Sequence, residues 1–408
     1  MIKSSAYSKY NKWLILLLVF SLYSGRFLKM PVSSIPIYIS FIGIFICFVL
    51  LARNIVIIKL NIVIILMLCF LLSIFLSMYN NNLNGYSISK VVEFTLYVIP
   101  LVFISNYIFL KKQSIIMFFK IIFFVSLIFA ISAFVISLIN GNLLIGRLSV
   151  FGGGPITFSR FMSFGFIASL ALLLLKDSKL QTIHRILIFL ALSLFTVSIA
   201  LSGSRQSFIG LIIFTFIFFL LSFIQSNQRK KIKKFSIFSS IIVFSIITIN
   251  FIPEKILQNL TIYQRLTLLF KDDKGESVNI RVQMINLAFE KFKENPIFGW
   301  GVGSFKEHNT INFLYPHNIF AEIIFELGLV GLIIFLLNLI ICTFLIFKYI
   351  RRSSYEQDET LITIIAGITT MFLFSVFTAQ ISGDLYDNRW IWFFSILLVK
   401  INSFREIR

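Results

Sequence analysis

The sequence predicts an all-α polytopic membrane protein, a bundle of about twelve transmembrane helices. Three observations lead there. The mean hydropathy is +0.94. Of 408 residues, 58% are hydrophobic and only 13% charged, where soluble domains carry roughly a quarter charged. Apolar runs of about 20 residues recur along the whole length, each enough to cross a hydrocarbon core of about 30 Å as a helix. A barrel would instead show short alternating segments.

In chain order the spans fall near 13–28, 32–51, 60–78, 91–110, 114–139, 157–175, 185–201, 206–225, 235–252, 327–347, 361–381 and 389–403. The first has Lys12 ahead of its apolar core and Ser24-Gly25 behind it, the outline of a signal peptide. It lacks an A-x-A site and reads as an anchor.

Basic residues sit in alternate connections: Lys3, Lys9 and Lys12; Arg53 and Lys59; Lys111 and Lys112; Lys176, Lys179 and Arg185; Arg229 to Lys234; Lys348, Arg351 and Arg352; Arg405 and Arg408. The positive-inside rule assigns these, with both termini, to the cytoplasm. The opposite connections, including the large loop 253–316, then face outward; that loop is too long for the charge rule, so parity places it. The net charge of +20 is spent largely on topology and on anionic headgroups of membrane lipids, and no nucleic-acid partner is needed. Cys47, Cys69 and Cys342 all fall in apolar runs without metal-ligand spacing and read as packing residues. No internal repeat is visible, so residues 1–408 read as a single membrane domain.

Loop 253–316 contains two stretches with apolar residues at helical spacing, Ile256 to Phe270 and Asn279 to Phe292, joined by the turn-like KDDKGES. In the second, Ile280, Met284, Leu287, Ala288 and Phe292 form one stripe, as in an amphipathic helix on the membrane surface or capping the bundle. An ordinary extracytoplasmic loop with packing helices reads the same way. The apolar run from Pro316 to Phe347 is longer than one span, so His317 to Glu326 is expected as an outward extension of the tenth helix. Asn318, Glu322 and Glu326, four residues apart, would share a face overlooking an outer vestibule.

Arg205, in LSGSRQSF, stands between two spans with almost no room for a loop. A guanidinium at membrane depth costs about 2.5–3.5 kcal/mol on insertion scales, which makes it a functional candidate. Phosphate is its natural partner, since the planar fork matches phosphate oxygens; Ser204 and the next helix start add N–H donors. The alternative is an arginine snorkelling to the headgroups. Arg281 lies at the edge of its apolar stripe, an ordinary place for arginine, and gains weight only in company. His317, between Pro316 and Asn318, could act as general base toward an alcohol, or could cap a helix. His308 and His184 have weaker claims.

Glu322 and Glu326 could orient His317 or pair with an arginine, and ion pairing is the plainer role. Trp300, Phe313 and Tyr315 could stack on sugar faces or form an interfacial aromatic belt. Arg147, Arg160, Gly152 to Pro155, Asp384, Asp387 and Arg389 would lie on the outer side and could line a polar entry. The glycines of NPIFGWGVGSF permit tight turns, but no strand precedes them as a nucleotide fingerprint requires.

Taken together, SGSR between two spans, R281-x-Q-M-I-N-x-A-x-x-x-F-x-x-N-P-I-F-G-x-G-x-G-x-F, and P-H-N-x-x-x-E-x-x-x-E-L-G-x-x-G resemble the O-antigen ligase and Wzy-type polysaccharide polymerase superfamily. The resemblance is specific from about residue 200 to 335. It implies a GT-C-like glycosyltransferase with a large external helical loop between the ninth and tenth spans, in a bacterial cytoplasmic (inner) membrane with its active site on the extracytoplasmic side. The donor would be a glycan on undecaprenyl diphosphate, the acceptor a glycan or glycolipid, and a chain-length regulator a further partner. By the same resemblance Arg205 and Arg281 hold the diphosphate and His317 deprotonates the acceptor hydroxyl; Ser204, Arg160, Glu322, Glu326, Trp300 and Tyr315 are, from their own placement, the residues expected around the substrate. Transfer would be inverting and independent of metal or other cofactor. A polymerase lengthening a surface polysaccharide is the reading preferred over a ligase, the compact loop being the reason. A flippase or transporter is the more distant alternative, and would usually show two repeat-related halves.

Overall fold

The computed structural model describes residues 4–27, 44–46, 60–80, 84–141, 146–175, 182–224, 231–232, 234–239, 261–268, 275–310, 313–356 and 358–404. They are mostly helical, with no strand among them. In order the helices are α1 Ser4–Phe27, α2 Ile62–Ser77, α3 Gly85–Glu93, α4 Ile99–Ile108, α5 Lys112–Ile139, α6 Gly154–Leu174, α7 Thr182–Leu201, α8 Arg205–Ile224, α9 Thr261–Thr267, α10 Glu276–Phe292, α11 Ile319–Glu356, α12 Glu359–Ala379 and α13 Arg389–Ser403. Eight are long and apolar enough to cross a membrane, counting α3 and α4 as one, and the chain is a multi-pass membrane protein. The expected spans at 32–51 and 235–252 lie almost wholly outside the described residues, as does Cys47. The last expected span, α13, is 15 residues long, short of the roughly 20 a full crossing takes.

The chain divides into two compact units. The first comprises Met1–Ser40, Lys111–Asp272 and Ile346–Met371. Its most enclosed span is α6, 83% of whose apolar window is buried. Small residues let neighbours close in on it. Gly165 faces Ser126 of α5 so tightly that a Cβ would stand 2.5 Å from the serine Cβ. Tyr23 of α1 stacks on Phe161 at 4.1 Å and shares a hydrogen bond with Ser126 Oγ at 2.9 Å. Such polar contacts matter in lipid, where no solvent satisfies a stray hydroxyl.

The second unit comprises Phe41–Leu110, Asp273–Leu345 and Phe372–Arg408. Phe70, Phe94 and Trp392 pack with ring centroids 5.4–6.4 Å apart, Phe94 edge to face on Trp392 and Phe70 tilted against both. Between α3 and α4 the backbone runs as a π-helix over Phe94–Val98. Pro100 has no N–H to return to the preceding turn, and the Ile99 N–H reaches back five residues to Phe94 O.

The expected continuous helix through 317–347 is interrupted. Gly328 takes φ 63° and ψ −158°, a conformation only glycine adopts readily, and splits α11 in two. The groups freed there are recaptured by the loop after Pro296. Trp300 N–H donates to Phe325 O at 2.8 Å and Gly301 N–H to Glu326 O at 3.0 Å. Leu329 N–H donates to Pro296 O at 2.8 Å. A Cβ on Gly328 would lie 2.4 Å from Ile297 O, and one on Gly299 2.5 Å from Glu326 C. The glycine-rich motif is therefore a splice that joins the loop to a broken helix.

Candidate functional site

In the first unit, α7 and α8 are joined by Ser202, Gly203 and Ser204 alone, so Arg205 opens α8 directly. Gly203, at φ 63°, makes that reversal possible in so few residues. The buried Ser204 carbonyl accepts from Phe208 N–H at 3.1 Å, closing the first turn of α8. Ser204 Oγ donates to Ser207 Oγ at 3.4 Å, and Ser207 Oγ meets Ser159 Oγ of α6 at 2.8 Å. Arg160, buried at 8% exposure, is therefore on the helix that braces this turn. Arg147 Nε donates to Ser202 O at 2.8 Å. Arg205 itself is half-buried at a helix start, where backbone N–H groups also favour an anion.

The second unit carries Arg281 and His317. Arg281 is half-buried on α10 and donates from Nη1 to Ser277 Oγ at 3.1 Å. The expected stripe does pack inward: Met284 and Ala288 are buried with Phe305, Ala321 and Phe325, and Ile280, Leu287, Trp300 and Phe313 lean on the same cluster. Phe313 in turn lies edge-on to the His317 ring at 5.5 Å. Ile280, next to Arg281, and Phe313, next to His317, thus rest on one core.

His317 has φ 57°, a left-handed backbone that few residues with a Cβ adopt. Pro316 is buried before it, and Asn318 after it caps α11, its Oδ1 accepting from Phe320 N–H at 2.9 Å and Ala321 N–H at 3.0 Å. Tyr315 lies against the imidazole at 4.5 Å. Trp300 takes another place: its Nε1 donates to Lys291 O at 2.8 Å, and its ring packs 4.3 Å from His308. Burial, reinforced by the charge of Lys291, pushes the His308 pKa below that of a free histidine.

Glu322 and Glu326 do not line an open vestibule. Both are fully buried, and their partner is Lys90 of α3, which the sequence reading passed over. Lys90 Nζ donates to Glu322 Oε1 at 2.5 Å and to both Glu326 oxygens at 2.7 and 2.8 Å. Glu322 Oε1 also accepts from Leu385 N–H at 3.2 Å. Asp384, 1% exposed, accepts from Tyr86 Oη at 3.1 Å and fixes the turn before α13 through Asp387 N–H at 2.9 Å. Arg389 is buried against Tyr97 and Tyr386. The signal available in sequence was a lysine directly at the head of the apolar span expected at 91–110, a placement that needs a counter-charge once it is buried.

Of the residues expected around the chemistry, Arg205, Ser204 and Arg160 belong to the first unit, and Arg281, His317, Glu322, Glu326, Trp300 and Tyr315 to the second. No curated protein matches the chain. Residues 188–336, which include Arg205, Arg281 and His317, match the family model described as O-Antigen ligase, a match that supports the O-antigen ligase/Wzy superfamily.

Proposed function

We propose that the protein is a metal-independent, inverting glycosyltransferase of the bacterial cytoplasmic membrane, which polymerises repeat units of a surface polysaccharide from an undecaprenyl-diphosphate-linked donor. The observation that carries this reading is His317, held in a left-handed backbone between a buried proline and a capped helix start, within the family-matched stretch. Strained backbone at such a position is a recognised mark of a working residue. His317 takes the proton of the acceptor hydroxyl while that oxygen bonds to the anomeric carbon of the donor. The bond from that carbon to the diphosphate breaks, and undecaprenyl diphosphate leaves with the electron pair. Arg205 and Arg281 bind the diphosphate more tightly as its charge grows, which lowers the barrier. A single displacement inverts the anomeric centre. The reaction faces the extracytoplasmic side, with both chain ends in the cytoplasm.

A second reading, transfer of a finished chain to lipid A core or a protein, is supported by the description of the matched family. Purified protein given one lipid-linked repeat unit decides between them. A ladder of lengthening lipid-linked products supports the polymerase. Transfer only when lipid A core or a protein acceptor is added supports the ligase, and no transfer to any acceptor removes both.

A further inference from the structure

The short turn before α8 is the meeting point of more positive charge than its own arginine supplies. Helix α9 lies over it: a Cβ on Gly203 would stand 2.9 Å from Thr261 Cγ2 and 3.4 Å from Arg147 Nε. Arg265 follows Thr261 by four residues, so both project from one face of α9. Its guanidinium is near enough to Arg205 for the two charges to oppose each other. Arg265 is half-buried, and Arg147 is tied to the same turn through Ser202 O. Three guanidinium groups from three separate segments therefore gather at one hairpin. The opposition between Arg205 and Arg265 is relieved when an anion sits beside them.

A second observation stands beside it. The Gln206 side chain is 6% exposed, and among the described residues neither its Oε1 nor its Nε2 makes a hydrogen bond. A buried amide without partners is costly, and a ligand that supplies them removes the cost.

We propose that Arg265 is a binding residue for a diphosphate, acting beside Arg205 at the α7–α8 turn, with Arg147 holding the turn and Gln206 offering an amide. The anion site stands on this geometry; that the anion is the diphosphate of the lipid-linked donor rests on the function proposed above. It is distinct from the pairing of Arg205 with Arg281 and places two guanidinium groups in a single unit.

Inorganic pyrophosphate added to the purified full-length protein in detergent, with thermal unfolding as readout, tests the site. Pyrophosphate is expected to raise the Tm of the native chain. Arg265→Gln should lose that shift while keeping or raising the ligand-free Tm, because it removes like-charge repulsion. Arg265→Lys, which keeps the charge and loses the fork, should retain part of it. In the transfer assay Arg265→Gln should raise the KM for lipid-linked donor roughly tenfold or more, with a smaller change in kcat. Gln206→Leu gives an independent arm: a ligand-free Tm at or above that of the native chain, with a weaker pyrophosphate shift. Absence of any pyrophosphate shift in the native chain overturns the proposal, as does an equal shift in Arg265→Gln. A protein that binds pyrophosphate through Arg265 yet transfers no glycan keeps the anion site and loses the transferase reading. Transfer with a donor KM unchanged in Arg265→Gln does the reverse.

Discussion

Lys90 Nζ and Glu322 Oε1 stand 2.5 Å apart with neither side chain reaching solvent, and Glu326 completes the clamp at 2.7 Å. The pairing fixes α3 to the first half of α11, the segment that His317 and Asn318 begin. Breaking a buried pair by removing one partner leaves an uncompensated charge, at a cost of about 3–5 kcal/mol. Lys90→Met is therefore expected to lower the Tm in detergent sharply, and Lys90→Met combined with Glu322→Gln and Glu326→Gln to recover much of the loss. If the single change is as stable as the native protein, the clamp carries no structural weight.

The helical, membrane-spanning character was legible because hydropathy reports the solvent directly, and among the described residues the helices expected at 60–78, 114–139, 157–175, 185–201, 206–225 and 361–381 begin and end within a few residues of those bounds. The break at Gly328 was not, since an apolar run reads the same whether one helix or two cross it. Its cause lies some thirty residues earlier, in the loop whose carbonyls at Pro296 and Ile297 take up the freed N–H groups. Lys90 was missed for a related reason: nothing local links it to Glu322, 232 positions away. Cys69 reads from sequence as a packing residue but is exposed, because an apolar run does not say which side of a span meets lipid. The candidate residues are legible one by one as polar interruptions of apolar sequence, while the left-handed backbone of His317 belongs to the fold.

Gly328 and Gly85 form a matched test of the splice. Gly328→Ala places a Cβ 2.4 Å from Ile297 O at a φ of 63°, whereas a Cβ on Gly85 meets nothing within 4 Å. Gly328→Ala should cost upward of about 1–3 kcal/mol for the backbone alone, plus the clash. Gly85→Ala should change stability by about 0.5 kcal/mol or less. Equal Tm values for the two variants would contradict the packing of the loop on the helix break.

His308 gives the loop a pH dependence whose sign follows from its burial and the charge of Lys291. Its pKa in the fold lies below the ordinary value of 6.5, through burial and the charge of Lys291. The folded state thus binds this proton less readily than the unfolded state, so the stabilisation is present above about pH 6.5 and is lost as the pH falls through the folded pKa. His308→Phe removes the titration and should flatten the decline in Tm between about pH 7.5 and 5.5. An identical decline in both proteins assigns the acid sensitivity to other groups.

His317 should trade stability against activity. At φ 57°, replacement by Gly removes the steric penalty of a Cβ, and Asn tolerates the left-handed region better than most residues. His317→Gly and His317→Asn are therefore expected to fold at least as well as the native protein, with any gain for Gly limited to about 1 kcal/mol by its greater unfolded entropy. Neither replacement can accept the acceptor proton, so transfer should fall roughly 10²–10⁴-fold, with donor binding little changed. A helix-capping histidine would give the opposite pattern, since Asn318 already supplies the cap: transfer near the native rate in His317→Asn would end its assignment as the base.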